Sequence, residues 1–437
     1  MFRRLTKELI KWKNSEFRKP LVLQGARQVG KTYTVLEFAK EHYDNVAYIN
    51  FEFSESAIKL FEADLDPRKL LPAIQVFTRQ TMTQERTLIF FDEVQRCPPA
   101  LTSLKYFCEF APGYHVIAAG SLLGVAVSRG QYSFPVGKVD RLTLYPMDFE
   151  EFLIATANPE LAAEAAFADM IHRSFDNNEP LEPYWHDCLL DRYRRYLVVG
   201  GLPECVLKYV TTENYDLIRA TQDMILSDYL DDMSKYNTAN EIKKTRLAYN
   251  SVTVQLSKKN TRFQYKLIKS GGRAAEFENA VEWLVLSGIV DRVYGLEAVM
   301  KPLENYKNID RFKIYFSDPG LLCARNNITA NDILFGLDSL ADFKGGLTEN
   351  YVCNQLVSRG NVCYCWQSDG EAEIDFVIQR EGKLIPIEVK SADNSKAKSL
   401  KVYMQRFSPE YAIKISTNNF GFSNGIKTIP LYAAFCV

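Results

Sequence analysis

One segment near the start of the chain limits the fold more than any other. The apolar run from Pro20 to Gln24 is long enough for one buried strand, and a helical pattern follows from Tyr33 to Lys40. Between them lies Gly25-Ala-Arg-Gln-Val-Gly-Lys-Thr32, the pattern G-x-x-x-x-G-K-[ST] in the strand–loop–helix context that it requires. Its glycines let backbone N–H groups curve around a phosphate, and the helix N-terminus favours negative charge. The sequence therefore predicts a phosphate-binding loop in a parallel α/β sheet.

The residue types in this loop predict ATP as the ligand and Mg²⁺ as its metal ion. Lys31 is expected to reach the β- and γ-phosphates, and the Thr32 hydroxyl is expected to ligate Mg²⁺. The predicted nucleotide-binding residues are Gly25, Ala26, Arg27, Gln28, Val29, Gly30, Lys31 and Thr32.

A second pattern supplies two carboxylates. The apolar strand from Thr87 to Phe91 ends in Asp92 and Glu93. An apolar strand with this ending is typical of the acidic motif that accompanies a phosphate-binding loop. We expect Asp92 to hold Mg²⁺ and Glu93 to orient or deprotonate the attacking water, so that Lys31 and Glu93 are the predicted catalytic residues of this site.

Two further features of the N-terminal region stay open at this stage. Ser121 follows the strand Tyr114 to Ala119, where a polar side chain can read the γ-phosphate, but it can equally cap the segment that follows. An arginine from a neighbouring subunit of a homo-oligomer could complete the site by stabilising charge in the transition state, but an ordinary solvated surface arginine is the alternative for each candidate. The candidates are Arg96, Arg129 and Arg141.

A separate set of charged residues lies near the C-terminus. Asp375 and Glu388 fall on two predicted strands joined by a glycine turn, and Lys390 shares a strand face with Glu388 because it is two residues away. Glu349, on a preceding helix, completes three carboxylates and one lysine. Hard oxygen ligands suit Mg²⁺ or Mn²⁺, so we predict a metal site at Glu349, Asp375 and Glu388. Catalytic roles for Asp375, Glu388 and Lys390 would suit phosphodiester hydrolysis; an ordinary strand face with a Glu/Lys pair is the plainer alternative.

The middle of the chain is predicted to be helical, with a local basic bias. No acidic residue interrupts the stretch from Lys243 to Arg273. The helix from Phe277 to Ser287 and two short strands, Ile289 to Val293 and Phe312 to Phe316, then suggest a winged helix. Such a module binds DNA through basic side chains, but it can also serve only as a packed connector. The basic residues of the stretch are Lys243, Lys244, Arg246, Lys258, Lys259, Arg262, Lys266, Lys269 and Arg273.

Composition excludes several classes of protein. The chain has 437 residues, 53 Lys plus Arg and 54 Asp plus Glu, so it is not a polybasic nucleic-acid coat. Its nine cysteines form no C-x-x-C pair, which argues against a zinc site and suits a reducing cytoplasm. No run approaches the length of a membrane span, and no secretory signal is recognised at the start. We therefore expect a cytoplasmic protein without a membrane partner.

Several motifs together resemble a known group, the prokaryotic AAA-family ATPases. Within it, the chain is similar to bacterial and archaeal proteins whose C-terminal domain is known only as a domain of unknown function. The matching segments are 25–32, 91–96, 120–121, 144–153, 200–204 and 316–322, with Asp375 and Glu388-Val-Lys390 matching a restriction-endonuclease-like PD-(D/E)XK signature. The resemblance implies ATP and Mg²⁺ at the loop and a metal site at Asp375 and Glu388. Lys138 and Pro319 depart from the group's pattern, and Lys138 weakens an arginine-finger assignment there.

The complete prediction is an α/β protein in three parts. Residues 1–145 form a P-loop AAA-type ATPase domain, residues 146–325 a helical and winged-helix-like segment, and residues 326–437 a PD-(D/E)XK nuclease-like domain. The predicted function is an ATP-hydrolysing ATPase coupled to a metal-dependent nuclease-like domain that binds or cleaves nucleic acid, DNA in preference to RNA. The alternative is a nucleotide-controlled switch whose C-terminal domain binds proteins or oligomerises without cleavage. A simple ATP-dependent transferase is disfavoured, because Glu93 beside Asp92 suits the activation of water.

Overall fold

The protein is described by a computed structural model over residues 1–128, 134–158, 160–235, 237–257, 262–336, 341–368, 370, 372–391 and 398–437. Arg129, Lys258 and Lys259 lie outside these described residues. The chain divides into two compact units. The first comprises Met1–Tyr145 with Leu286–Gly288, and the second comprises Pro146–Val285 with Ile289–Val437. The division into three parts stays a prediction.

The first unit is built on a five-stranded parallel sheet. Its strands are β1 (Leu21–Gln24), β2 (Asn45–Asn50), β3 (Thr87–Asp92), β4 (His115–Ala119) and β5 (Asp140–Thr143), in the order β2-β3-β4-β1-β5. Two of the interior strands, β3 and β4, are buried along their whole length, whereas the edge strands β2 and β5 are only partly buried. Continuous apolar runs are typical of parallel strands covered on both faces. This arrangement confirms the predicted α/β fold of a P-loop domain.

Six helices accompany this sheet. They are α1 (Leu5–Lys13), α2 (Lys31–His42), α3 (Glu55–Ala63), α4 (Pro67–Thr78), α5 (Pro98–Phe110) and α6 (Leu123–Ser128). Part of the core lies between the sheet and α3, α4 and α5, where Phe51, Phe61 and Phe91 contact each other at ring-centroid distances of 5.1 to 5.9 Å. Aromatic rings in these tilted and edge-on arrangements stabilise the core beyond the area that they bury. They hold β3, and therefore Asp92 at its end, in place.

The second unit begins with helices, as the sequence predicts. They are α7 (Phe149–Thr156), α8 (Ala162–Ala165), α9 (Phe167–Asn177), α10 (Pro183–Val199), α11 (Pro203–Thr212), α12 (Tyr215–Asp232), α13 (Ala239–Ser257) and α14 (Ala274–Leu286). Four more follow later: α15 (Pro319–Arg325), α16 (Ala330–Leu334), α17 (Ala341–Ser358) and α18 (Lys398–Phe407).

An eight-stranded mixed sheet occupies the rest of the second unit. Its strands are β6 (Val290–Leu296), β7 (Lys307–Phe316), β8 (Tyr364–Gln367), β9 (Glu373–Arg380), β10 (Lys383–Val389), β11 (Ala412–Ser416), β12 (Gly421–Ser423) and β13 (Ile426–Pro430). Their order is β12-β13-β11-β10-β9-β8-β6-β7. A mixed C-terminal α/β sheet is therefore present, and its likeness to restriction endonucleases stays a prediction.

The two strands predicted as a wing are not an isolated hairpin. β6 pairs antiparallel with β7, as a wing requires, but Tyr294 to Leu296 also pair in parallel with Tyr364 to Trp366 of β8. A strand edge presents unpaired backbone groups, and here β8 satisfies those of β6. The winged helix is therefore not confirmed, and one sheet crosses the predicted boundary at residue 325.

Two of the motifs recognised in the sequence, segments 200–204 and 316–322, contact each other inside the second unit. The buried Asp318 carboxylate accepts hydrogen bonds from the Gly201 N–H at 2.6 Å and the Leu321 N–H at 2.8 Å. Gly200 has a φ of 74°, and a Cβ there would collide with that carboxylate. Burial raises the pKa of Asp318 to about 6, while these backbone hydrogen bonds act in the opposite direction. Both motifs therefore stabilise the connection between α10 and α15.

A helix that crosses a bilayer must be long and apolar. Over the residues that the structure describes, no helix is long and apolar enough to cross a membrane.

Candidate functional site

The phosphate-binding loop lies between β1 and α2. Gly30 precedes α2 with φ 90° and ψ 26°, a left-handed conformation that costs a glycine little. Gly25 has a φ of 146°, and a Cβ there would collide with the carbonyl oxygen of Leu144. Both motif glycines are therefore required by the backbone path itself.

The Lys31 side chain lies inside this loop and is only 6% exposed. Its ammonium group donates hydrogen bonds to the carbonyl oxygens of Gly25 at 3.0 Å and Ala26 at 2.7 Å. The positive charge is thus held at the N-terminus of α2, where backbone N–H groups also point outward. A cation and outward N–H groups at one helix end suit an anion, and the contact of Lys31 with phosphate stays a prediction.

The two motifs meet at Thr32 and Asp92. The Thr32 hydroxyl donates a hydrogen bond of 2.7 Å to one oxygen of the Asp92 carboxylate, which is 2% exposed. Tyr48 donates to the same oxygen at 3.1 Å, and the Glu93 N–H donates to the other oxygen at 3.0 Å. A hydroxyl and a carboxylate at this separation suit Mg²⁺, which prefers oxygen ligands. The residues present therefore fit the metal ion that the motif implies.

Sequence reasoning missed Tyr48. It lies on β2, whose residue Asn50 pairs with Asp92 of β3 in parallel register. Because alternate residues share a strand face, Tyr48 and Asn50 both lie on the side of the carboxylate. Polar side chains at alternate positions of β2 are visible in the sequence, but only the order of the strands shows that β2 is next to β3.

Glu93 is positioned by an unusual backbone conformation and by one neighbour. Its φ is 51°, a left-handed conformation that is strained for a non-glycine residue. The Gln95 side-chain amide donates a hydrogen bond to the Glu93 carboxylate. Burial raises the pKa of Glu93, and the Gln95 hydrogen bond and the Lys31 charge partly oppose this. A buried carboxylate with a raised pKa is better suited to accept a proton than an exposed one.

The remaining predicted residues of the first unit are placed as follows. Ser121 follows β4, the strand between β3 and β1, and is buried. A Cβ on the adjacent Gly120 would collide with Gln95, so the strand end contacts the residue that orients Glu93. Arg141 lies 4.1 Å from the centre of the Phe134 ring, and Lys138 pairs with Glu109 at 3.0 Å. The sensor role of Ser121 and the choice of an arginine finger stay predictions.

In the second unit, the structure brings the predicted C-terminal residues together. Ile387 of β10 pairs with Phe376 of β9, so the next position sets Glu388 beside Asp375. The Lys390 ammonium contacts the Glu388 carboxylate at 2.8 Å, and Asp375 accepts a hydrogen bond from the Val389 N–H at 2.7 Å. Glu388 is only 1% exposed. The predicted convergence of these strands is therefore observed.

A second lysine, which sequence reasoning missed, lies in the same cluster. Lys313 of β7 pairs with Glu349 at 2.8 Å and with Glu373 at 2.7 Å. The Tyr315 hydroxyl donates a further hydrogen bond to Glu349. Lys313 and Tyr315 are two residues apart, as are Glu373 and Asp375, so each pair shares one strand face. This alternation is visible in the sequence and could have indicated that the four side chains meet. We did not use it, because β7 and β9 were predicted to belong to separate domains.

The charges of this cluster act on one another's pKa values. The pKa of Asp375 is raised to about 8, chiefly by burial and then by the Glu349 carboxylate, while Lys313 acts in the opposite direction. Burial alone would lower the pKa of Lys390, but Glu388, Asp375 and Glu349 outweigh it and the pKa is raised.

The sequence predicts a metal site at Glu349, Asp375 and Glu388. Among the described residues, no group of three or more His, Cys, Asp or Glu side chains is arranged to hold a metal ion. Glu349, one of the three predicted ligands, instead contacts the Lys313 ammonium. The C-terminal metal site therefore stays a prediction.

Family models match three segments of the chain. Residues 17–153 match the family described as AAA domain. Residues 190–332 and 344–434 each match a domain of unknown function. The first segment contains the loop, the Thr32–Asp92 contact and Glu93, so all the residues of this site lie within the match to an AAA domain. The likeness of the C-terminal segment to PD-(D/E)XK enzymes is not shown by these matches.

Solved structures were compared as well. A Walker-type ATPase of Pyrococcus abyssi is 14% identical with a TM-score of 0.42, and 75% of this chain and 96% of that chain are covered. The ORC2 protein of Aeropyrum pernix is 13% identical with a TM-score of 0.36, over 77% and 93% of the two chains. The RuvB Holliday junction branch migration motor of Thermotoga maritima is 14% identical with a TM-score of 0.29, over 67% and 90%. No curated protein matches the chain. Because these TM-scores are below 0.5, no argument is based on the solved structures, and the family match of residues 17–153 is used instead.

Proposed function

We propose that the protein hydrolyses ATP in its first unit and uses the nucleotide cycle to control the action of its second unit on nucleic acid. The observation that carries the first half is the Thr32–Asp92 hydrogen bond of 2.7 Å, with Glu93 next in the chain. It joins the phosphate-binding loop to the acidic motif in one site. The family match of residues 17–153 supports the same reading.

Each residue of this site has a distinct part in the proposed hydrolysis. Lys31 exchanges its carbonyl partners for β- and γ-phosphate oxygens, and the loop N–H groups hold the β-phosphate. Glu93 accepts a proton from the attacking water, and Gln95 orients its carboxylate. Thr32 and Asp92 would hold Mg²⁺, which when bound neutralises charge on the β- and γ-phosphates.

Phosphate release by the purified full chain tests this half. Substitution of a general base typically lowers turnover by a factor of about 10²–10⁴, so Glu93→Gln should retain nucleotide binding and lose phosphate release by that factor. Glu52→Gln is the matched control, because Glu52 is a nearby exposed carboxylate whose charge also raises the pKa of Glu93. Undiminished phosphate release by Glu93→Gln would contradict the proposed role.

The second half of the proposal concerns Glu349, Asp375, Glu388 and Lys390. The proximity of Asp375, Glu388 and Lys390 on β9 and at the end of β10 supports an action on phosphodiesters, in which these carboxylates and Glu349 would hold Mg²⁺ or Mn²⁺. Incubation of labelled DNA and RNA with Mg²⁺ or Mn²⁺ tests cleavage. Cleavage by the wild type should be lost in Asp375→Ala and in Lys390→Ala, and cleavage that survives both changes would show that other residues are responsible.

One observation favours the non-cleaving alternative, in which the second unit is a nucleotide-controlled binding or oligomerisation module. Lys313 neutralises Glu349 and Glu373 and so competes with a divalent ion for the carboxylates. Titration calorimetry of the full chain with Mn²⁺ separates the two readings. Binding that is lost in Asp375→Asn supports the metal-dependent site. Its absence, together with a change in oligomeric state on adding ATP, supports the binding module.

A further inference from the structure

A basic cavity opens in the second unit between the end of α13 and the start of α14. It has a volume of about 490 Å³ and is lined by Arg262, Lys266 and Arg273, with Asp310 as an acidic neighbour. All three basic side chains belong to exposed residues. They come from the basic stretch of the sequence, and folding gathers them around one opening.

Among the lining residues of this cavity, these three basic side chains outnumber the one carboxylate, that of Asp310. Within the described part of the chain, none of them forms an ion pair, whereas their neighbour Lys269 lies 3.6 Å from Glu276. Unpaired cations around one concave site attract a polyanion, and low-dielectric walls strengthen that attraction.

The position of Arg262 is set by the aromatic residue that follows it. Phe263 stacks on Phe312 of β7 with ring centroids 5.2 Å apart and an interplanar angle of 16°. The Phe263 N–H also donates to the Phe312 carbonyl oxygen at 2.6 Å. Because Phe263 is held on β7 in this way, Arg262 stays close to the strand that carries Lys313.

A second, narrower cavity adjoins the first. Its volume is about 40 Å³, and it shares Arg262 and Phe263 with the larger cavity. On its other side it is lined by Lys313, Tyr315 and Glu349. These residues belong to a group that we call the carboxylate–lysine cluster, which consists of Lys313, Glu349, Glu373, Asp375, Glu388 and Lys390, with Tyr315 hydrogen-bonded to Glu349. The basic cavity therefore borders the cluster to which we have assigned an action on phosphodiesters.

We propose that the cavity lined by Arg262, Lys266 and Arg273 binds the backbone of single-stranded nucleic acid and delivers the strand to the carboxylate–lysine cluster. This inference rests on the proposed function of the second unit and names its substrate class. A charged groove that follows a sugar–phosphate backbone is the usual way in which proteins bind single strands without reading sequence.

The dimensions of the cavity distinguish a single strand from a duplex. A volume of this order matches a site for a small ligand, so it accommodates a nucleotide or two. A duplex would contact only the rim and would not bring a phosphate next to Asp375, Glu388 and Lys390. We therefore expect single-stranded DNA or RNA to bind more tightly than duplex DNA of the same length.

Fluorescence anisotropy with a labelled oligothymidylate tests the inference on the full chain. The triple variant Arg262→Ala, Lys266→Ala, Arg273→Ala should bind the strand at least about tenfold more weakly. The slope of log affinity against log salt should fall by about 2, since each lost phosphate contact on a single strand contributes about 0.7. The single charge reversal Lys266→Glu should act in the same direction.

The chain offers a control of equal charge in the same basic stretch. Lys243, Lys244 and Arg246 lie on α13 and line neither cavity, so their triple alanine variant should bind within about twofold of the wild type. Melting temperatures check that both triple variants are folded. Equal weakening by the two triple variants would show attraction by overall charge and overturn the inference, as would tighter binding of duplex or of polyglutamate.

The same measurements keep this inference separate from the proposed function. Strand binding that is unchanged in the Arg262, Lys266 and Arg273 variant rejects the cavity but leaves a nucleic-acid role elsewhere in the second unit. If the wild type binds no nucleic acid at low salt, the nucleic-acid half of the proposed function fails together with the cavity. Phosphate release by the Glu93 variants is judged independently of both outcomes.

Discussion

The phosphate-binding loop and the carboxylate–lysine cluster each have a buried lysine at the centre, but the two lysines have opposite surroundings. Lys31 donates to the neutral carbonyl oxygens of Gly25 and Ala26. Lys313 contacts the negatively charged side chains of Glu349 and Glu373. A lysine held by carbonyls can transfer its charge to an incoming anion at little cost, whereas a lysine between two carboxylates is part of what stabilises the fold.

The comparison also explains why one site was easier to recognise. The loop residues are consecutive in the chain, and their partner Asp92 lies at the end of β3, which is separated from β1 by β4 in the same parallel sheet. The cluster combines β7, β9, β10 and α17. Alternation along β9 and β10 shows Asp375, Glu388 and Lys390 in the sequence, but only the tertiary structure adds Lys313 and Glu373.

The largest expected effects come from exchanging each lysine for methionine. Lys31→Met should lower ATP turnover by a factor of about 10²–10³, because it removes a cation from the transferring phosphate. Lys313→Met should leave basal ATP turnover unchanged and lower the free energy of unfolding by about 3–5 kcal/mol, because two partly buried carboxylates lose their counter-ion. Phosphate release and urea unfolding of the full chain measure the two effects.

An exposed lysine provides the control for this exchange. Lys401→Met on α18 should change the free energy of unfolding by less than about 0.5 kcal/mol. If Lys313→Met is as stable as Lys401→Met, the contrast between a functional and a structural lysine is wrong.

A smaller effect is expected in the pH dependence of stability. The Asp375 carboxyl has a pKa of about 8 in the folded chain against 3.8 for its unperturbed value, so the folded state holds an extra proton between these pH values. Stability is therefore highest at the acid end of this window and falls as pH rises through about 8, by at most about 1.4 kcal/mol per pH unit. The charged groups around Asp375 are Glu349, Glu373, Glu388, Lys313 and Lys390.

Asp375→Asn tests this contribution. The asparagine oxygen can still accept the hydrogen bond from the Val389 N–H, but the side chain does not titrate. The difference in unfolding free energy between wild type and variant should therefore change with pH in the direction given above. A difference that is constant from pH 5 to pH 8 contradicts the raised pKa.

The smallest effect on stability is expected for a glycine in the second unit, and the same substitution in the loop provides the contrast. Gly345 lies exposed on α17 with open space around its Cβ position, so Gly345→Ala should stabilise the chain by about 0.5–1 kcal/mol. Gly25→Ala, by contrast, should abolish nucleotide binding, because its Cβ would collide with Leu144. Thermal unfolding and binding of a fluorescent ATP analogue measure the two outcomes, and a Gly25→Ala variant that still binds nucleotide would show that the loop can deform.

Much of the first unit could be predicted from the sequence because its signals are local. The strand ending in Asp92, the loop from Gly25 to Thr32 and the helix that follows are each visible in a short window. Parallel strands bring their carboxyl ends to one edge of a sheet, so the meeting of Thr32 and Asp92 follows from general topology. Tyr48 could not be assigned in this way, since only the strand order shows that β2 is next to β3.

The second unit shows where sequence reasoning fails. Alternation along β9 and β10 correctly predicted that Asp375, Glu388 and Lys390 share a face. We predicted a separate wing and did not predict that β6 pairs with β8. The residues of a strand do not show which distant strand it pairs with, because backbone hydrogen bonds do not depend on side-chain identity. As a result, Lys313 on β7 was assigned to a different domain from the carboxylates that it contacts.

By itself, the sequence determined the pattern of a phosphate-binding loop with its acidic partner and a set of carboxylates near the C-terminus. Only the tertiary structure decided how the charges of the second set are balanced, because Lys313 lies 36 residues from Glu349 and 60 from Glu373. A motif of consecutive residues encodes its own geometry through the backbone. An ion pair between distant strands depends on which strands are neighbours, and that is decided by how the whole sheet satisfies its hydrogen bonds and buries its apolar face.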